Sequence, residues 1–353
     1  MHNSIKDIIK KLFPENYNFL SFLKQRWIVE RKTKEARSLN EKDYPDYLRR
    51  YVRKKLGYNL DLENPRTISE KVQWRKLYDR DPVYSFLSDK YRVRKWVEEK
   101  IGAEYLVPFL GCWKDFKDID FDALPDQFVL KTNNGTGSNI VVKHKNEFLR
   151  SKKASRIAMK YTLHPIEFMY GLELHYFDIK PLIIAEQYLT PADGKSDLTD
   201  YKFYCFNGKP FIVEAIENRT ENETVDTYDM KWNRLHVAQP PYPSKKEPSP
   251  RPPHFDEMVK LAGILSEGFR FVRVDFYDNN GIYFGEMTFT PASGLIPFDP
   301  KDLEYEMADL WDIKGEQTDY SVIFRDTPEA FKMFKELYGI TDSEKGRKPK
   351  TTV

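Results

Sequence analysis

Arg273, Asp275 and Glu286 interrupt two otherwise apolar runs, Phe271-Val-Arg-Val-Asp-Phe276 and Ile282-Tyr-Phe-Gly-Glu-Met-Thr288. An Asn280-Gly281 pair joins the runs, and Asn-Gly between apolar segments signals a tight hairpin. Such a hairpin sets one acid on each of two adjoining strands, both within reach of one cation. Mg²⁺ takes hard oxygen ligands of this kind, one or two carboxylates plus substrate phosphates. Arg273 precedes Asp275 by two positions, so both point to one face of the strand. There the guanidinium can stabilise negative charge on a transferring phosphoryl group or a tetrahedral intermediate. A salt-bridged surface hairpin is the alternative reading. It fits poorly, because charges set among apolar strand residues are costly to bury unless paired or bound to metal.

A second constellation is Phe128-Val-Leu-Lys131-Thr-Asn-Asn-Gly135-Thr136-Gly137-Ser138-Asn-Ile-Val-Val142. Here a strand carries a lysine and runs through a glycine loop into another strand. Glycines let backbone N–H groups approach phosphate oxygens, Thr136 and Ser138 add hydroxyl donors, and Lys131 can hold the α/β-phosphates as a point charge. No Lys-Ser/Thr follows the glycines and a strand follows the loop, so this is not a Walker loop. A plain hairpin with a glycine turn would carry the same pattern. Two weaker pieces complete the set. In Leu182-Ile-Ile-Ala-Glu186-Gln187-Tyr188-Leu189, an apolar strand running into a glutamate resembles an adenine-reading hinge. In Asp200-Tyr-Lys202-Phe-Tyr, a lysine interrupts a buried-looking strand.

The elements that must position these side chains are short. Apolar runs at 106–110, 128–130, 140–142, 182–185, 201–206, 211–215, 271–276 and 282–284 read as strands, with Asn207-Gly208 as a second hairpin turn. Residues 68–100 read as two helices, Thr67 or Ser69 capping the first and Ser88 the second, with Asp81-Pro82 as the break. Residues 256–266 return to helical spacing, 240–253 form a Pro-rich irregular loop, and 217–229 read as a polar loop. Near the N-terminus Ile5, Ile8, Ile9 and Leu12 make an apolar stripe backed by lysines. That helix either lies on an anionic membrane surface or packs on its own domain or a second subunit. The plan is mixed α+β with much antiparallel sheet, without the regular alternation of a doubly wound fold. It divides into a basic helical region 1–60, a helical region 61–125, a catalytic body 126–335 and a polar basic tail 336–353.

Taken in order, Asp89-Lys90, Lys131 with its glycine loop, Glu186, Lys202, Arg273-x-Asp275 and Glu286-x-Thr288 resemble the ATP-grasp superfamily. More narrowly the chain resembles the TupA-like ATP-grasp family, named for teichuronopeptide synthesis and found in capsule and surface-polysaccharide loci. The match runs from about Tyr58 to Pro300. It includes Asn64-Pro-x-Thr67-x-Ser-Glu70-Lys71-Val-Gln-Trp74, Asp89-Lys90-Tyr-x-Val-Arg94, Leu124-Pro-x-x-Phe-Val-Leu-Lys131, Phe203-x-Cys-Phe-Asn-Gly208 and Phe284-Gly-Glu286-x-Thr288-Phe-x-Pro291-x-x-Gly294. The resemblance implies an ATP-grasp fold in which two α+β lobes with largely antiparallel sheets hold the nucleotide, preceded by a helical N-terminal region. It implies that Lys90 and Lys131 contact ATP phosphates, that Gly135, Thr136, Gly137 and Ser138 close over them, and that Glu186, Gln187, Tyr188 and Leu189 hold the adenosine. Asp275 and Glu286 would ligate Mg²⁺, Lys202 and Arg273 would handle the γ-phosphate and acyl phosphate, and the Pro291–Gly294 loop would position the carboxylate. Thr288 stands where many ATP-grasp enzymes carry a metal-binding Asn, and is a weaker ligand. The expected reaction is ATP-dependent ligation of a carboxylate to an amine through an acyl phosphate, with a uronic acid of a surface glycan as the expected carboxylate.

The bulk composition narrows the classes. A net charge of +2 gives no global field for nucleic acid, and two cysteines, Cys112 and Cys205, cannot build a disulfide framework or a four-cysteine zinc site. No apolar run reaches the roughly 20 residues of a membrane span, and Lys6, Lys10 and Lys11 break any signal-peptide core, so the expected location is cytoplasmic, and peripheral at the inner membrane face only under the first of the two readings of the N-terminal helix. A glycosyltransferase of the same pathways is the alternative. It would need an Asp-x-Asp motif at a strand end, whereas Asp118-x-Asp120-x-Asp122 falls in a loop. A scaffold that kept the fold without activity is opposed by the complete lysine and carboxylate set.

Overall fold

The computed structural model describes residues 14–135, 139–150, 167–192, 194, 197–219 and 222–340. The Ile5/Ile8/Ile9/Leu12 stripe and the loop residues Thr136, Gly137 and Ser138 lie outside them. The described helices are α1 (Pro14–Arg37), α2 (Tyr44–Leu56), α3 (Ile68–Tyr78), α4 (Pro82–Ser88), α5 (Val93–Ile101), α6 (Glu167–Gly171), α7 (Phe255–Ser266), α8 (Asp302–Asp309), α9 (Tyr320–Ile323) and α10 (Pro328–Tyr338). The strands are β1 (Phe109–Trp113), β2 (Phe128–Thr132), β3 (Ile140–Val142), β4 (Ile183–Gln187), β5 (Asp200–Phe206), β6 (Lys209–Glu217), β7 (Thr224–Asp229), β8 (Phe271–Asp278) and β9 (Ile282–Thr288). They form two antiparallel sheets: a four-stranded sheet A in the order β1-β4-β2-β3 and a five-stranded sheet B in the order β7-β6-β5-β8-β9. No described helix is long and apolar enough to cross a membrane.

Sheet A is amphipathic. Phe128, Leu130, Val142, Ile183 and Ala185 pack one face against Phe116, Ile119 and Leu124. By the two-residue alternation of strands, Val129, Lys131, Ile184 and Glu186 take the other face. Sheet B is more unusual. On one face Phe203, Val213, Val272, Val274 and Met287 pack against Met258, Leu261, Ala262 and Leu265 of α7. The opposite face is divided. At one end Tyr204, Phe206, Ile212 and Phe271 are covered by Ile68 and Val72 of α3 and by Leu303 and Met307 of α8. At the other end the same face carries Asp200, Lys202, Glu214, Arg273, Asp275 and Glu286, charges that must balance one another.

Local chemistry explains most of the element boundaries. Thr67 caps α3 and forms a capping box with Glu70, as one of the two sequence candidates predicts. Asn207-Gly208 and Asn280-Gly281 all have positive φ, as tight hairpin turns require. Four boundaries differ from the sequence reading. Residues 68–100 form three helices rather than two: Pro82 occupies the first turn of α4, where its missing N–H costs nothing, and Asp81 caps it through Val83 N–H. Ser88 ends α4 instead of capping the next helix. Asp89 accepts from the Tyr91 and Arg92 N–H groups at the head of α5. The first strand is 109–113 rather than 106–110, with Glu186 of β4 paired to Phe109. Finally 217–229 is not a loop: β6 runs to Glu217 and β7 pairs with it over Thr224–Asp229, its polar residues sitting at a sheet edge.

Candidate active site

The polar half of sheet B is a cluster of acids and bases in neighbouring strands. Lys202 on β5 faces Asp275 on β8, which faces Glu286 on β9. Lys202 Nζ donates to Asp275 Oδ2 at 2.6 Å and lies 2.8 Å from Asp200. Arg273 forks onto Asp275, with Nε–Oδ1 at 2.8 Å and Nη2–Oδ2 at 2.7 Å. The same Nη2 lies 3.3 Å from Glu286 Oε1 and 3.1 Å from the Thr288 hydroxyl, which itself donates to Glu286 at 3.2 Å. Asp275 is 1% exposed and Arg273 7%, and charges so deep are tolerated because each is paired and hydrogen-bonded.

Glu286 is the accessible acid of the pair, its side chain 30% exposed. A bulge puts it there. Asp275 pairs with Glu286 while Phe276 pairs with Phe284, which leaves Gly285 without a partner on β8. A Cβ at 285 would sit 3.1 Å from the Asp275 carbonyl oxygen, so the close approach favours glycine. Burial alone would raise the Glu286 carboxyl, but Lys90, Lys202 and Arg273 together hold it far below the usual carboxylate range. Asp200 behaves alike: burial opposes its charge, and Lys202 and Arg219 overcome that and lower it.

On sheet A, Lys131 Nζ lies 2.5 Å from Glu186 Oε2, and Arg94 Nη1 donates to Glu186 Oε1 at 3.1 Å. Gln187 closes the strand, and Tyr188 and Leu189 come after it, with Lys143 Nζ 5.8 Å from the Tyr188 ring. One short segment joins the two acid sites. The Lys90 side chain reaches Glu286 of sheet B at 2.9 Å, and Arg94, four residues on, reaches Glu186 of sheet A. The Lys90 N–H donates to the Asn133 carbonyl at the root of the glycine loop, at 3.0 Å. Fully buried Asn133 fixes that root: its amide donates to Asp89 Oδ1 at 2.9 Å and to the Lys180 carbonyl at 3.0 Å, and its Oδ1 accepts from Leu182 N–H at 2.7 Å.

The structure therefore brings Lys90, Lys202, Arg273, Asp275 and Glu286 together and pairs Lys131 with Glu186, while Gly135 ends the described part of the loop. Several participants escaped the sequence reading. Asn133, Arg94, Asp200 and Glu214 all lie inside the motifs or strands, yet nothing in their spacing distinguished them. Glu214 faces Lys202 across β5–β6 and accepts from Gln239 at 2.6 Å, and Arg219 lies 3.0 Å from Asp200. The thiols are poor nucleophiles. Burial raises Cys112 and pushes Cys205 up to about 12.

The matching family model is TupA-like ATPgrasp, over residues 70–311 of the 353. The chain belongs to the TupA-like ATP-grasp family. The helices and two antiparallel sheets give the α+β fold of that family. No curated protein matches the sequence. Among solved structures the chain is similar to N5-carboxyaminoimidazole synthetase from Staphylococcus aureus complexed with ADP (17% identity, TM-score 0.35, covering 57% of this chain and 44% of that one). It is also similar to D-alanine–D-alanine ligase from Bacillus anthracis complexed with ATP (16%, TM-score 0.35, 72% and 68%). A third similar structure is the ATP-grasp ligase PsnB with a phosphomimetic variant of its minimal precursor, Mg and ADP (12%, TM-score 0.36, 69% and 65%). The chain thus spans less than half the length of the first of these.

No group of three or more His, Cys, Asp or Glu with metal-binding geometry occurs among the described residues. The donors fit a metal shared with phosphate instead: two carboxylates in one register row, ringed by cations. ATP with Mg²⁺ should raise the melting temperature of this TupA-like protein, with linkage giving about 2.7 kcal/mol at a hundredfold excess over Kd. EDTA should remove most of the gain and Lys131→Ala should shrink it. An unchanged melting curve for folded protein in saturating ATP–Mg²⁺ would refute the nucleotide site.

Proposed function

We propose that this ATP-grasp enzyme activates a carboxylate as an acyl phosphate and transfers it to an amine. The observation that carries the reading is the 89–94 segment, which ties Lys131 and Glu186 on one sheet to Asp275, Glu286, Lys202 and Arg273 on the other. A polyphosphate between the sheets would meet Lys90, Lys131, Lys202 and Arg273, four cations, with two hard-oxygen acids among them. Adenosine would lie along Glu186, Gln187, Tyr188 and Leu189, with Gly135, Thr136, Gly137 and Ser138 over the phosphates. Asp275 and Glu286 would hold Mg²⁺, which when bound neutralises charge on the phosphates.

A substrate carboxylate oxygen attacks the γ-phosphorus, the bond to the bridging oxygen breaks, and ADP leaves. An amine then attacks the acyl carbon, the C–O bond to phosphate breaks, and inorganic phosphate departs with that oxygen. Lys202 and Arg273 stabilise the charge that develops on the phosphoryl group and on the tetrahedral intermediate. The Pro291–Gly294 loop, directly beyond Thr288, positions the carboxylate. The carboxylate class we propose is a uronic acid of a capsular or surface glycan or its precursor, and the amine an amino acid or amino sugar. The family's setting supports this choice by association. The chain would work at the inner face of the membrane, in contact through residues 1–12. Deleting those residues should lower binding to anionic liposomes and leave nucleotide binding intact. Equal liposome binding after the deletion would remove the membrane contact.

Hydroxylamine tests the chemistry, because it intercepts acyl phosphates as hydroxamates. With the correct carboxylate, hydroxamate should form in step with ADP. Arg273→Ala should cut the rate by about 10²–10³ if the guanidinium stabilises developing charge as oxyanion donors do. Glu286→Ala should lose turnover while still binding ATP. AMP as product, or near wild-type turnover in Glu286→Ala, would contradict the assignment.

A further inference from the structure

Beyond Thr288 the chain enters a turn at Pro291–Gly294 in which two consecutive non-glycine residues, Ala292 (φ 46°) and Ser293 (φ 54°), lie in the left-handed region. L side chains avoid that region, and strain of this kind persists only where the surroundings over-determine it. Here α3 does so. Gln73 Nε2 donates to the Ser293 and Gly294 carbonyls at 2.8 and 2.9 Å. Lys76, one turn on, donates through Nζ to the Ser293 carbonyl at 2.8 Å, the Ser293 hydroxyl at 2.7 Å and Gln73 Oε1 at 3.0 Å. Gly294 is pressed so close that a Cβ would lie 2.7 Å from Gln73 Nε2 and 2.9 Å from the Ser69 carbonyl. The Thr290 hydroxyl donates to Glu173 at 2.5 Å.

Lys76 is 4% exposed, and the hydrogen-bond acceptors it meets among the described residues are neutral oxygens. A buried ammonium without a directly bonded carboxylate is expensive, and a strained turn beside it adds a second cost. Stability alone accounts for neither. An ammonium only donates, so the Ser293 hydroxyl must accept from Lys76 and turn its own hydrogen elsewhere. Ser293 is half-buried and Ala292 exposed, and the Ser293 oxygen also borders Gly171, 3.4 Å from where a Cβ there would sit, so the turn stands between the interior and solvent.

We propose that Lys76 is a positioning residue of the carboxylate subsite: it holds the Ala292–Ser293 turn in place and makes the Ser293 hydroxyl an obligate donor to the substrate carboxylate. The inference rests on the reading that this loop receives the carboxylate. It adds a residue from α3 that touches neither nucleotide nor metal acids.

A pH signature separates this role from a structural one. Burial pushes Lys76 down to about 8, against the pull of Glu173. Arg75, Asp79, Arg80 and His175 line the cavity of about 20 Å³ behind it. Burial, with Arg75 and Lys76, brings His175 down to about 3, so it stays neutral throughout this range. Between pH 8 and the ordinary lysine value of 10.5, the unfolded chain binds the Lys76 proton better than the folded one. Relative to Lys76→Met, wild-type stability should therefore rise with pH across that window. Carboxylate binding should do the reverse and weaken as the ammonium is lost.

The test uses the full chain with ATP, Mg²⁺ and hydroxylamine, D-glucuronate and D-galacturonate as carboxylate probes, and the variants Lys76→Met, Lys76→Arg and Ser293→Ala. ATP affinity should stay within about twofold in all three, while carboxylate KM rises about tenfold or more in Lys76→Met and Ser293→Ala with little change in kcat, the pattern of lost ground-state binding. Lys76→Arg should recover part of the loss. The wild-type KM should climb above pH 8 and that of Lys76→Met stay flat. A crystal structure of Lys76→Met should show the turn relaxed out of the left-handed region. Unchanged carboxylate KM in Ser293→Ala, or an intact left-handed turn in Lys76→Met, would overturn the proposal. If wild-type protein turns over neither probe, the uronate reading fails by itself, and the turn in the Lys76→Met crystal still decides the role of Lys76.

Discussion

Burying charge on a β-sheet face is tolerable only when every charge has a partner, and the polar half of sheet B obeys that constraint in one register row. Lys202 on β5 opposes Asp275 on β8, Glu286 on β9 adds a second acid beside it, and Arg273 forks onto Asp275 and reaches Glu286 as well. Removing one member would leave an uncompensated charge, a defect that typically costs several kcal/mol. The row therefore holds the register of β5, β8 and β9 as well as the chemistry. The same face is apolar at its other end, where α3 and α8 cover it. The sheet is thus half core and half site, and the border falls between Phe271 and Arg273.

The second dependency is the segment 89–94. Asp89 accepts from the Tyr91 N–H in the turn before α5 and from the Asn133 amide, Lys90 answers Glu286, and Arg94 answers Glu186. Six residues connect the root of the glycine loop, the acid of the hinge strand and the accessible acid of the hairpin. The segment therefore ties the two sheets together beside the root of the glycine loop.

How much of this could be read from the sequence depended on where the signal lay. Hairpins announced by Asn-Gly were legible, and with them the placing of Asp275 and Glu286 on adjoining strands, whereas the bulge at Gly285 that sets the two acids opposite each other left no mark in the turn. Charged residues inside apolar runs, Lys131, Lys202 and Arg273, stood out for the cost of burying them. The α+β architecture with antiparallel sheets could be inferred from strand lengths and the lack of regular alternation. The misreadings were local. Pro82 reads as a breaker but starts a helix when Asp81 caps it, and a polar strand such as β7 hides because an edge needs no apolar alternation. Asn133 and Lys76 were invisible for a different reason: what singles them out is a partner far away in sequence, Asp89 or Ser293, and spacing carries no trace of it.

The central claim is that the carboxylate itself attacks the γ-phosphorus, and oxygen labelling tests it most directly. A substrate carboxylate carrying ¹⁸O would be turned over with ATP and the amine, and the phosphorus products examined by ³¹P NMR. An acyl phosphate loses its bridging oxygen with phosphate, so one ¹⁸O should appear in inorganic phosphate, in step with ADP and with amide formed. Label in AMP, or inorganic phosphate free of label while amide accumulates, would contradict the account.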